Sequence, residues 1–129
     1  MPGSIRSPRG TAAIAIESAG PAAHAFVSRG TGLDKARALD CLAKAVYYEA
    51  ASESEGGQQA VAQVVLNRVA HPAYPKTVCG VVYQGSQRRT GCQFTFTCDG
   101  SLDRKPSAGA WARALSVARR ALSGQVYAP

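Results

Sequence analysis

From Gln58 to Val69 the chain reads QQAVAQVVLNRV, apolar on nearly every side at helical period. This run constrains the fold more than any other stretch. A helix with no face to give to water must be surrounded by the rest of the domain. It is expected to stop before His71-Pro72, because proline disfavours helix in the residue that precedes it. The segment just upstream supplies a first neighbour. Leu39, Leu42 and Val46 recur at spacings of three and four, one face of a second helix. Asp34 is its expected cap, and it should run to about Ala51. SESEGG between the two reads as a turn, with Ser54 or Gly56 near the start of the buried helix.

The rest of the chain is shorter in its signals. Lys76 to Tyr83 (KTVCGVVY) is apolar and brief, and its period does not separate a helical turn from a strand. Gln93 to Thr97 (QFTFT) alternates, with Phe94 and Phe96 on one side, and predicts a strand in a small β-hairpin. Trp111, Leu115, Ala118 and Leu122 recur at four, three and four, which predicts an amphipathic helix over 109–123 stopped by Gly124. Residues 1–32 are rich in Gly, Pro, Ser, Ala and Arg and read as a flexible leader, with His24 inert within it. At 129 residues one domain is expected, over 33–129. Its class is α+β, mostly helical.

Fifteen Lys and Arg against eight Asp and Glu give a net charge of +7, a balance that favours an anionic partner. The charge is scattered in pairs such as Arg88-Arg89, Arg104-Lys105 and Arg119-Arg120. Nucleic-acid binding, which needs a contiguous basic face, is therefore not expected. No run is long enough for a transmembrane helix, and no signal peptide is visible at the N-terminus. Four cysteines, Cys41, Cys79, Cys92 and Cys98, contain no C-x-x-C pair, so a zinc ribbon or redox motif is not expected. Four cysteines allow three pairings, and two disulfides would suit an oxidising envelope compartment; free buried thiols are the alternative. No metal-ligand or phosphate-loop spacing occurs, and no cofactor is called for.

The chemistry concentrates where the first helix's apolar stripe ends. The next position on the stripe is Glu49, with Glu53 one turn later. Desolvating a carboxyl raises its pKa toward neutrality, as a general acid requires. If the helix continued, Glu49 and Glu53 would share a face roughly 5–6 Å apart. That spacing suits one acid and a helper, since carboxyls that flank a sugar normally come from different segments. The structural alternative is a helix-end carboxylate paired with an arginine such as Arg68. Asn67 emerges polar from the buried run, and Gln93 with Phe94 offers an amide beside a flat apolar ring. These are candidate binding groups, unless they only mark the domain surface. His71 is expected in a surface turn.

The string AVYYEAASESEGGQQAVAQVVLNRVAHPAYPKTVCGVVYQ, followed by CQFTFTCDG, resembles the cell wall hydrolase family typified by spore cortex-lytic enzymes. The motifs are Y-x-E-A at Tyr47 to Ala50, G-Q at Gly57-Gln58, V-L-N-R-V at Val65 to Val69 and Q-F-T-F at Gln93 to Phe96, spread over residues 39–123. The cysteine-bearing ending resembles envelope members from Gram-negative bacteria. The resemblance implies a lysozyme-like catalytic domain that cleaves peptidoglycan glycan strands in the cell envelope or periplasm, and a monomer is expected. It places the essential glutamate on Glu49 and a second family glutamate on Glu53; Tyr48, Glu53, Asn67, Gln93 and Phe94 are the expected substrate-binding groups. Gly56 departs from the acidic residue that relatives often carry before G-Q. The implied mechanism is lytic transglycosylation after N-acetylmuramic acid, with Glu49 as acid and then base. That reading is favoured because no second acid stands in an obvious place opposite Glu49. A muramidase, helped by Glu53 or Asp99, is the first alternative. A non-catalytic peptidoglycan-binding module is the second.

Overall fold

The apolar run folds as a helix that is buried on all sides from Ala60 to Leu66, as its composition requires. In the computed structural model, residues 32–88 and 91–124 are described, and this helix, α2, covers Glu55–Ala70. It follows α1, Gly32–Ala50, and precedes α3, Val78–Val82, and α4, Ala108–Leu122. Two 3-10 turns, Thr95–Thr97 and Ser101–Asp103, lie between α3 and α4. The expected leader over 1–32 falls, apart from Gly32, outside the described residues. Asp34 sits inside the first turn of α1, not before it, where its charge still complements the helix dipole.

α1 packs against all three other helices, and α2 also contacts α3 and α4. The stripe lies where its period put it, with Leu42 and Val46 fully buried and Leu39 partly so. Alanines 43, 45, 60 and 62 of α1 and α2 are also fully buried. Each helix begins or ends on a local device. Ser54 Oγ accepts from the Gly57 amide at 3.2 Å and starts α2, which satisfies one of the free donors of a first turn. Thr77 Oγ1 does the same for α3 through Gly80, at 2.9 Å. At Gly80 any Cβ would lie 2.8 Å from that oxygen and 2.9 Å from Pro75 Cβ, so this turn closes only without a side chain. Gly124, at φ 103°, ends α4 in the left-handed conformation.

All four cysteines are paired. Cys41–Cys79 ties α1 to α3, with Cα atoms 5.3 Å apart. Cys92–Cys98 closes a short loop, with Cα atoms 6.6 Å apart. The free-thiol alternative is excluded, and the ambiguous segment around Cys79 is helical.

The β-hairpin expected at Gln93–Thr97 does not form; among the described residues there is no strand. A strand from Cys92 to Cys98 would hold its ends roughly 20 Å apart, three times the span the disulfide allows. The chain turns instead. The Thr97 amide and Thr97 Oγ1 both donate to Phe94 O, at 3.0 and 2.8 Å. Phe94 and Phe96 are buried as the alternation implied, but on a closed loop.

Candidate active site

The site is built where the last turn of α1 meets the loop from Cys92 to Ser107. Three consecutive side chains of α1 take part. Tyr47 Oη accepts from the Ser107 amide at 3.1 Å, and its ring meets Trp111 edge-on at 6.0 Å. Tyr48 stacks on Phe96, with centroids 5.0 Å apart and planes 13° apart, and its hydroxyl donates to Arg104 O at 3.1 Å. Glu49 follows, half-buried. The two tyrosines thus fasten the loop over the end of α1, and the disulfide keeps the loop short.

Burial pushes the Glu49 carboxyl above the usual carboxylate range, and the negative charge of Asp99 adds to the shift. Asp99 comes from the loop and is fully exposed. It is held below its ordinary value by hydrogen bonds from Ser101, with a smaller contribution from the Arg104 guanidinium. The Ser101 amide donates to Asp99 Oδ1 at 2.8 Å, across Gly100 at φ 89°. This is an Asx turn that only a residue tolerant of positive φ closes easily. One carboxyl is pushed toward the protonated form and its neighbour is kept ionised, which is the arrangement that separates an acid from a charged partner.

Gln58 ties down the end of α1, one residue past Glu49. It is fully buried, and its Nε2 donates to Ala50 O at 3.1 Å, the final carbonyl of α1. Sequence reasoning noted the G-Q pair and missed this contact. The signal was present: a polar residue inside an apolar run, one turn into α2.

The remaining candidates are placed as follows. Glu53 is exposed in the turn after α1; the helix ends at Ala50, so the one-face geometry with Glu49 is lost. The Glu53 carbonyl accepts from Arg113 Nη2 at 2.6 Å. Asn67 Oδ1 accepts from Gln63 Nε2 at 2.8 Å. Arg68, the alternative partner of Glu49, is engaged elsewhere. It donates to exposed Gln93 Oε1 at 3.3 Å and lies over the rings of Tyr74 and Phe94, at 5.3 and 5.8 Å. Phe94 is 8% exposed and packs beneath this group, with no open face. His71 is exposed in the turn after α2, as expected.

The Cell Wall Hydrolase family model matches residues 52–129, more than half of the chain. This chain belongs to the cell wall hydrolase family. The matched segment holds the G-Q pair, the V-L-N-R-V run, the whole disulfide loop and Asp99 just after it; Tyr48 and Glu49 lie just before the segment. This chain is similar to spore cortex-lytic enzymes. The Bacillus subtilis enzyme is 39% identical over 66 residues, 51% of this chain and 20% of the relative. That of Halalkalibacterium halodurans is 38% identical over 68 residues, 53% of this chain and 19% of the relative. For Bacillus cereus the identity is 38% over 69 residues, 54% and 24%. The aligned part thus spans a quarter or less of each relative's length. No solved structure matches this chain.

Proposed function

We propose that this cell wall hydrolase cleaves the glycan strands of peptidoglycan, with Glu49 as general acid. One observation carries the reading: a half-buried carboxyl at the end of α1, raised by burial, beside a loop carboxylate that is kept ionised. Family membership and the names of the relatives support the substrate class. A helical domain that presents an acid at a helix end is compatible with a lysozyme-like architecture. Two disulfides suit an oxidising envelope compartment such as the periplasm, and the domain is read as acting as a monomer.

In this mechanism Glu49 gives its proton to the glycosidic oxygen following N-acetylmuramic acid as the bond breaks. The resulting carboxylate then removes a proton from that sugar's C6 hydroxyl, whose oxygen closes a 1,6-anhydro ring. One carboxyl serves both steps, and no water enters. Tyr48, Asn67 and Gln93 are the proposed sugar contacts, with Phe94 holding Arg68 from beneath and Glu53 on the rim.

Asp99 favours a second reading. Its charge is felt at Glu49, so a second acid does stand near the first. In a muramidase it would guide water or stabilise the oxocarbenium ion while Glu49 protonates the leaving oxygen. The products separate the two. Purified vegetative and cortex-type walls are digested and the muropeptides read by mass spectrometry. Anhydro-muramic ends, lighter by one water, are the expected result. Reducing muramic ends would replace transglycosylation with hydrolysis. No release from either wall would contradict strand cleavage altogether.

A further inference from the structure

Tyr48 also lines a cavity of about 590 Å³. Its volume falls in the range of roughly 300–1,000 Å³ typical of small-ligand sites. Its walls are the Tyr48 ring, Trp111 and Leu102, and its charged groups are Lys44, Arg104, Lys105 and Asp103. Leu102 is 37% exposed, one of two large apolar side chains so open among the described residues. Lys44 is paired with Asp40 at 2.9 Å. Arg104 and Lys105 are exposed, and neither forms an ion pair within 4.0 Å of a described acid. The Tyr48 hydroxyl is already used on Arg104 O, so its ring acts as a wall. Apolar surfaces with an excess of unpaired cations fit a ligand that is part aliphatic and part carboxylate.

The position narrows that ligand further. Tyr48 and Glu49 are adjacent on α1, and the Arg104 charge reaches Asp99, whose own charge reaches Glu49. A strand whose scissile bond sits at Glu49 would bring its nearest branch toward the cavity lined by the neighbouring Tyr48. In a peptide-bearing strand the sugars carry no charge, because the lactyl carboxyl of muramic acid is tied up in its amide to the peptide. The carboxylates of peptidoglycan lie on the short peptide borne by the lactyl group of muramic acid, beside methyl and methylene groups.

We propose that this cavity binds the carboxylate-bearing stem peptide of the muramic acid next to the scissile bond, with Arg104 and Lys105 on its carboxylates and Trp111 and Leu102 against its aliphatic groups. The proposal rests on strand cleavage at Glu49, and it makes the enzyme prefer peptide-substituted over bare muramic acid.

Trp111 is the single tryptophan of the chain, so its fluorescence and its indole NMR signal report this cavity directly. The full chain is titrated with the free stem tetrapeptide, with the same peptide amidated at every carboxyl, and with a neutral chitin oligosaccharide. The free peptide is expected to change both Trp111 signals. Amidation, or Lys105→Glu in the protein, is expected to weaken binding roughly tenfold or more. No response to the free peptide, equal binding of the amidated form, or a response to the oligosaccharide alone would overturn the proposal. Wild-type release from peptide-stripped glycan strands is measured in parallel. Release with no peptide binding overturns the subsite and leaves strand cleavage standing. Peptide binding with no release from any wall keeps the cavity's ligand and removes the catalytic reading.

Discussion

Gln58 Nε2 donates to Ala50 O at 3.1 Å, so a fully buried amide of α2 closes the end of the helix that carries Glu49. Ala50 is itself 1% exposed, and solvent cannot replace the bond. Gln58 Oε1 is buried with no partner among the described residues, a cost the fold accepts for holding that carbonyl. Gln58→Met keeps the volume and removes both effects. We expect a loss of about 1 kcal/mol in chemical denaturation and a lower kcat with little change in KM. An unchanged kcat would make Gln58 a packing residue only.

The two disulfides should act differently. Cys41–Cys79 closes a loop of 38 residues, and its removal as Cys41→Ala/Cys79→Ala should cost roughly 4 kcal/mol by the loop-entropy relation. Cys92–Cys98 spans 6 residues and should contribute roughly 2 kcal/mol. It holds the loop of Phe96 and Asp99, so its loss should reduce wall lysis more than its stability effect implies. Paired denaturation and lysis assays check both statements.

Glu49 should weaken the fold when it ionises. Its pKa is raised in the folded chain by burial and then by Asp99, so the folded state binds that proton more tightly than the unfolded state does. The stability this provides is complete below the ordinary carboxylate value and is lost as pH rises through the raised one. Glu49→Gln cannot lose the proton. At about pH 8 it should melt above wild type, and the gap should close at about pH 4. A variant no more stable than wild type at the higher pH would contradict the burial of a charge here.

Asp99→Asn should move the alkaline limb of the activity profile to lower pH. The acid works only while protonated, and removing the neighbouring charge removes one cause of its raised pKa. The pH profile of lysis by the two proteins is the measurement. A shifted limb with activity kept assigns Asp99 to tuning Glu49; loss of activity at every pH assigns it a direct part in hydrolysis.

What the sequence made legible follows from how local each signal was. α2 was readable because an all-round apolar helix has only one place to go. α1 and α4 were readable because their stripes persist over several turns. The 92–98 loop was misread because alternation of Phe94 and Phe96 is a local pattern, and the disulfide that overrides it is not. Glu49 stood out as a carboxyl on an apolar stripe. Asp99 could be named but not placed, since its approach to Glu49 depends on the loop being fastened by Tyr47 and Tyr48. Glu53 was assigned to the wrong geometry because the helix ends three residues earlier.

The most direct test of the account is the rate of glycan-strand cleavage by Glu49→Gln, with its fold checked by circular dichroism and melting. The substitution keeps shape and removes the transferable proton. A folded variant slowed by about 10² to 10⁴, the usual contribution of general acid catalysis, is the predicted result. A folded variant within about threefold of wild type would contradict the assignment of Glu49, because a loss that small is far below what proton transfer contributes.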